Sequence, residues 1–167
     1  TTRQQPDAEA ARALCGQRIF VHTAVTPGRP PLLLIHGYPT ASYDWIRIWP
    51  RLAARHSLYT LDLLGFGLSD KPRRSRYPIE QQADLCTALL GEFRVGAAHV
   101  LAHDYGDTVA QELLARHAEG RLQVASVAFL NGGLFPETHR ARPIQKLLAI
   151  PVLGPLLARA MNYEKFA

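Results

Sequence analysis

Short apolar runs alternate with longer segments of helical period along this 167-residue chain, and that alternation predicts an α/β protein built on a mostly parallel sheet. Three observations carry the prediction. Residues 32–35 (Leu-Leu-Leu-Ile) form a continuous apolar run, as strands buried on both faces do. Residues 79–93 and 105–117 repeat their apolar side chains at helical spacing. Each of these segments is followed by another short apolar run, at 97–102 and 124–130. With 47% hydrophobic and 20% charged residues the chain can bury a core, which excludes a disordered or collagen-like protein.

In chain order, 18–22 reads as a short strand, and Pro30 and Pro31 introduce the buried strand 32–35. A helix is expected over 43–54, where Trp45, Ile48, Trp49 and Leu52 share a face. Residues 58–63 form a second buried strand, closed by the turn Gly65-Phe66-Gly67. Pro78 marks the start of the helix 79–93, with Ala83, Cys86, Leu89, Leu90 and Phe93 on one side. Strand 97–102 leads into helix 105–117, and 124–130 is a fourth central strand. Asn131, Gly132 and Gly133 follow it, and a Leu-rich stretch punctuated by Pro runs from Arg142 to Met161. The expected division is an N-terminal extension over 1–17, a core over 18–140 and the start of a helical cap over 141–167.

The net charge of +5 lies wholly in the first half: residues 1–83 hold eleven basic against six acidic side chains, and 84–167 hold eight against eight. The cluster of Lys71, Arg73, Arg74 and Arg76 has no interleaved aromatics and no nucleic-acid motif, so it reads as a solvated loop and no nucleic-acid partner is expected. Cys15 and Cys86 are too few and too far apart for a disulfide framework or a metal site. No apolar stretch reaches the length of a membrane span, and the first residues lack the apolar core of a signal peptide. A cytoplasmic protein without metal or organic cofactor is the expectation.

Chemistry concentrates in Leu101-Ala102-His103-Asp104-Tyr105-Gly106-Asp107. A strand runs directly into a helix with one acidic side chain at the corner and small residues, Ala102 and Gly106, two positions either side. That is the shape of a nucleophile elbow. The helix amides and dipole stabilise an anion at the corner. A carboxylate there is already ionised at neutral pH and suits attack on an sp³ carbon bearing a leaving group, such as an epoxide or a carbon–halogen bond. The resulting ester then needs base-activated water and donors for the developing oxyanion. Asp104 is equally a residue type that caps helices. His36-Gly37-Tyr38-Pro39 follows strand 32–35, at the sheet edge where open α/β proteins bind ligands, so the amides of Tyr38 and Tyr105 are placed to converge.

The segments HGYPTASYDW (36–45), LDLLGFGLSDKP (61–72) and HDYGDTVAQELLAR (103–116) resemble the α/β-hydrolase superfamily, in order and spacing. More narrowly they resemble its Asp-nucleophile branch of epoxide hydrolases and haloalkane dehalogenases. NGGLFPETHR (131–140) is most similar to the mesoderm-specific transcript group within it. The resemblance implies an α/β-hydrolase fold of which this chain is the N-terminal part. It makes Asp104 the nucleophile, the Tyr38 and Tyr105 amides the oxyanion hole, and His36, His103 and the 65–72 loop structural supports. An apolar small-molecule substrate is implied, an epoxide or similar, in contact with Tyr38, Tyr105 and, from the cap, Tyr163. Dehalogenases of the branch carry Asn and Trp where this sequence has Tyr38 and Tyr105; epoxide hydrolases carry an aromatic residue at the first place, which fits, and a Trp at the second, which Tyr105 only approximates, so the resemblance favours the epoxide-hydrolase type.

The branch also uses a His to activate water and an acid to orient it. Beyond Asp104 the chain has only His117, at the far end of the next helix, and His139, read as structural. Asn131 stands where some members place the acid. The base and acid are therefore expected in a further C-terminal segment, with a non-catalytic binding protein of the same fold as the alternative.

Overall fold

In the computed structural model, the structure describes residues 8–133 and Ile150. The chain divides into two compact units, 1–134 and 135–167, and every element described here belongs to the first. Six strands form one sheet: β1 (Ala8–Leu14), β2 (Gln17–Ala24), β3 (Pro31–Ile35), β4 (Ser57–Leu61), β5 (Ala98–His103) and β6 (Val124–Leu130). Their spatial order is β1-β2-β4-β3-β5-β6. β4, β3, β5 and β6 run parallel, while β2 pairs antiparallel with both β1 and β4. Three helices accompany them: α1 (Trp49–Ala53), α2 (Ile79–Glu92) and α3 (Tyr105–Ala118).

The continuous apolar strand behaves as its composition requires. Leu32, Leu33, Leu34 and Ile35 are all buried, because β3 lies between β4 and β5 with side chains packed on both faces. On one face Leu33 and Ile35 join Ala83, Leu85 and Leu89 of α2 and Val109 and Leu113 of α3 in the larger core. On the other, Leu32 and Leu34 meet Trp45, Trp49 and Ala53. Arg116 ties the two long helices together: its guanidinium bonds Asp84 at 2.7 Å, Glu112 at 2.9 Å and the Glu80 carbonyl at 3.0 Å. Cys86 is buried in the core, and burial pushes its thiol up to about 12.

Three elements differ from the sequence expectation. The helix expected over 43–54 is a 3₁₀ turn (Ser42–Trp45) followed by the short α1, which starts with Pro50 in its first turn. Proline has no N–H to continue a preceding helix, so the chain restarts there. Trp45 and Trp49 are buried, but Ile48 is 38% exposed, so the four residues do not share one face. Residues 8–14, expected within an N-terminal extension, form β1. Its Ala-rich sequence carries no strand signal, and pairing with β2 decides its conformation. β6, expected as a central strand, has a single neighbour, β5, among the described residues, and its side chains alternate between exposed and half-buried.

Candidate active site

β5 ends at His103 and α3 begins at Tyr105, leaving Asp104 alone at the corner with φ 52° and ψ −114°. An ordinary N-cap has extended backbone and bonds the second or third amide of its helix. Asp104 does neither. Its backbone lies in a region L side chains rarely adopt, and its side chain bonds the first helical amide, that of Tyr105. Two hydrogen bonds hold this conformation: the Asp104 amide donates to the Leu130 carbonyl at 3.0 Å, and the Asp107 amide donates to the Asp104 carbonyl at 3.0 Å.

Close backbone approach explains the small neighbours. A Cβ on Gly106 would sit 2.7 Å from the His36 carbonyl oxygen, and one on Gly37 would sit 2.7 Å from the Asp104 Cβ. The end of β3 therefore passes directly against the elbow, and this brings the Tyr38 amide into range. Asp104 Oδ1 accepts from Tyr38 N at 2.9 Å and from Tyr105 N at 2.6 Å. The two amides expected to converge do so, on one carboxylate oxygen. Oδ2 has no hydrogen bond among the described residues. The carboxylate is thus gripped by one oxygen and offers the other.

Of the expected supports His36 is fully buried, whereas His103 is half-buried. The His36 ring is 0% exposed. Its Nε2 accepts from the Leu63 amide at 2.9 Å, so Nδ1 carries the hydrogen and donates to the Gly37 carbonyl at 2.9 Å. Burial holds its pKa below the usual histidine value. Neither nitrogen is left for catalysis. Asp62, which follows β4, accepts from Ser42 N at 2.8 Å, Ser42 Oγ at 2.6 Å and Leu68 N at 2.7 Å, pinning the 65–72 loop to the 3₁₀ turn. That loop presents Phe66, whose ring centroid lies 6.2 Å from Tyr38 and 5.6 Å from Tyr105. Tyr38 is 60% exposed, so it stands at an open rim. The Tyr105 hydroxyl lies 3.5 Å from the Tyr77 carbonyl, and burial raises its pKa.

Several of these residues escaped the sequence analysis. Asp62 directly follows a fully buried strand and precedes Gly65-Phe66-Gly67, and a carboxylate at that junction signals a loop to be tied. Asp107 is the second. It is buried on the first turn of α3, and neither carboxylate oxygen has a hydrogen bond of normal geometry. Desolvation pushes its pKa up to about 6, against the pull of the Leu130 and Gly132 amides and the His103 ring. The signal for it was an acid three positions from Asp104 in a helix otherwise facing the core.

Of the other residues singled out, His103 lies against Gly37, its Nδ1 3.0 Å from where a Gly37 Cβ would be. His117 is exposed at the far end of α3 and bonds the Leu122 carbonyl at 3.2 Å, away from the elbow. Tyr163 and His139 lie outside the described residues. Among the described residues no group of three or more His, Cys, Asp or Glu side chains could hold a metal ion, and no helix is long and apolar enough to cross a membrane.

A parallel sheet whose central strand runs through a strained acidic corner into a helix, facing two converging amides, defines a hydrolase-type scaffold. The model of the alpha/beta hydrolase fold family matches residues 30–148, and the chain belongs to that family. It is 48% identical over 161 residues to the human (Homo sapiens) mesoderm-specific transcript homolog protein, covering 91% of this chain and 48% of the relative. It is 43% identical over 152 residues to the putative hydrolase LipZ of Mycobacterium tuberculosis, covering 89% and 51% respectively. The chain thus spans about half the length of the curated relatives it matches. Among solved structures, haloalkane dehalogenase DbeA from Bradyrhizobium elkani superposes with TM-score 0.80 at 27% identity, over 96% of this chain and 56% of that one. The family resemblance drawn from the three sequence segments holds.

Proposed function

We propose that this chain carries the nucleophile half of an α/β-hydrolase that opens epoxides through an ester of Asp104. The observation that carries the reading is the asymmetric carboxylate: Oδ1 is held by Tyr38 N and Tyr105 N, and Oδ2 has no hydrogen bond among the described residues. In the first step Oδ2 bonds to an epoxide carbon, the ring C–O bond breaks, and the departing oxygen takes a proton from a hydroxyl donor outside the described residues, the role the resemblance gives to Tyr163. Oδ1 becomes the carbonyl oxygen of the ester and stays in the grip of the two amides, which polarise that carbonyl. In the second step water adds to Cγ and the negative charge lands on Oδ1, where both amides already point. Collapse expels the diol and restores the carboxylate with one oxygen from water. The base that deprotonates this water comes from outside the described residues, since His36 is fully engaged and His117 is remote.

Halide displacement uses the same nucleophile, and the likeness to haloalkane dehalogenase DbeA favours it as the second reading. Departing halide needs N–H or O–H donors opposite Oδ2. Dehalogenases of the branch carry Asn and Trp side chains at the positions that are Tyr38 and Tyr105 in this chain. The epoxide reading therefore leads.

Turnover in ¹⁸O-water separates both from a binding-only role. Many turnovers of the full-length protein on an epoxide should place ¹⁸O in the peptide containing Asp104, with diol as product, and Asp104→Asn should form no diol. Label together with halide release from haloalkanes but no diol would move the assignment to dehalogenation. Turnover that leaves the Asp104 peptide unlabelled, or no turnover on either substrate class, would overturn the ester mechanism.

A further inference from the structure

The chemistry above does not use Asp107, yet this carboxylate is sealed beside the nucleophile at 1% exposure with both oxygens lacking hydrogen bonds. Burying an ionisable group without a partner costs stability. Its surroundings show what the position does. The Asp107 amide donates to the Asp104 carbonyl, and the Asp104 amide donates to the Leu130 carbonyl, each at 3.0 Å. The Asp107 side chain projects onto the same exit of β6. The amides of Leu130 and Gly132 face the carboxylate, and a Cβ on Gly132 would overlap it. Asn131, between them, takes φ 54°, which turns the chain around the acid. Elbow, first turn of α3 and exit of β6 therefore close on one side chain.

We propose that Asp107 is a positioning residue for the nucleophile: its carboxylate seats the 130–132 exit of β6, and through the Leu130 carbonyl that seat holds the Asp104 backbone in its strained conformation. The proposal rests on the reading of Asp104 as nucleophile. The charged form is the one that the Leu130 and Gly132 amides attract. The groups facing Asp107 are His103, from the end of β5, and Asp104, from the elbow, while β6 and its turn present only backbone amides. α2, packed along α3, directs Asp84 to Arg116 instead. With the carboxyl pushed up to about 6, acid protonates it and loosens the seat.

Two readouts on the full-length protein test this. In protein labelled with ¹⁵N-glycine, the Gly132 amide should titrate with a midpoint near 6 in the wild type and lose that titration in Asp107→Asn. In single turnovers with a reactive epoxide, the rate of ester formation on Asp104 should show an acid limb with the same midpoint. Asp107→Asn should remove the limb and slow the reaction about tenfold or more at neutral pH, as misplacement of a reacting group does. A Gly132 amide insensitive to pH, or a variant with wild-type rate and profile, overturns the proposal. If no ester forms on Asp104 with any substrate, the nucleophile reading fails separately. The seat is then decided by exchange of the Asp104 amide proton, expected about tenfold faster in Asp107→Asn and unchanged if Asp107 holds nothing.

Discussion

Asp62 and Asp107 occupy matching places at two ends of the same sheet edge, and the fold treats them in opposite ways. Each is buried, at 2% and 1% exposure, and each presses on a glycine of a loop leaving a strand: Gly67 after β4, and Gly132 after β6. Asp62 accepts hydrogen bonds from Ser42 N, Ser42 Oγ and Leu68 N. Asp107 accepts none of normal geometry. Sequence position does not explain the contrast, since both acids stand beside backbone amides. What differs is how completely the surrounding loop closes on the charge. A fully satisfied carboxylate locks its loop, whereas a poorly satisfied one stays responsive to protons. The responsive one is next to Asp104.

The largest effect that would break this comparison is on Asp62. Asp62→Ala leaves Ser42 N and Ser42 Oγ buried with no acceptor, each worth about 1–3 kcal/mol, so a loss of roughly 3 kcal/mol is expected. Urea unfolding of the variant beside the wild type measures it. Asp107→Asn removes no satisfied hydrogen bond and should cost much less at neutral pH. Equal losses at the two positions would mean that both acids are ordinary structural anchors.

The next effect is a pH dependence carried by Asp107. Its pKa is raised from 3.8 to about 6, chiefly by desolvation, so between those values the folded protein holds more of the proton than the unfolded chain does. Stability then falls as pH rises through that window, and the penalty is absent below it. Asp107→Asn has no such term. The stability of the wild type minus that of the variant should decline from pH 3.8 to about 6 and stay level above, other titrating groups cancelling in the difference. Thermal midpoints of both proteins across that range provide the measurement. A flat difference would show that the carboxyl is better solvated than its burial implies.

How much of this contrast could be read from the sequence follows from which signals are local. The apolar run 32–35, the helix after Pro78 and the acidic strand-to-helix corner were legible because composition and spacing are properties of single segments. So were Tyr38 and Tyr105, since a turn after a buried strand and the first residue of a helix necessarily present amides. β1 was hidden because an Ala-rich heptad has no periodicity of its own and takes its conformation from β2. The helix expected over 43–54 is interrupted because Pro50 has no N–H to continue a preceding helix, which apolar spacing does not register. Asp62 and Asp107 escaped because their function lies in contacts with Ser42, Leu68 and Gly132, which the fold alone brings together.

The glycines sharpen the comparison at the smallest scale. Gly67 has φ +45° and no room for a Cβ beside Asp62, whereas Gly132 shares the crowding without a positive φ. Crowding alone costs about 1–3 kcal/mol, and a left-handed backbone adds about 1–2 kcal/mol for any residue with a Cβ. Gly67→Ala should therefore destabilise more than Gly132→Ala by about 1–2 kcal/mol, measured by the shift in denaturation midpoint. The Gly132 methyl would meet the Asp107 Cβ at 2.6 Å as well as the carboxylate, so rotation of the side chain cannot clear it and the 130–132 turn has to shift. That shift should leave Gly132→Ala folded but slow in forming the Asp104 ester, separating the seat's role in stability from its role at the elbow. Equal destabilisation at the two glycines would show that Asp107 is held as rigidly as Asp62, and the difference between the two ends of the sheet would vanish.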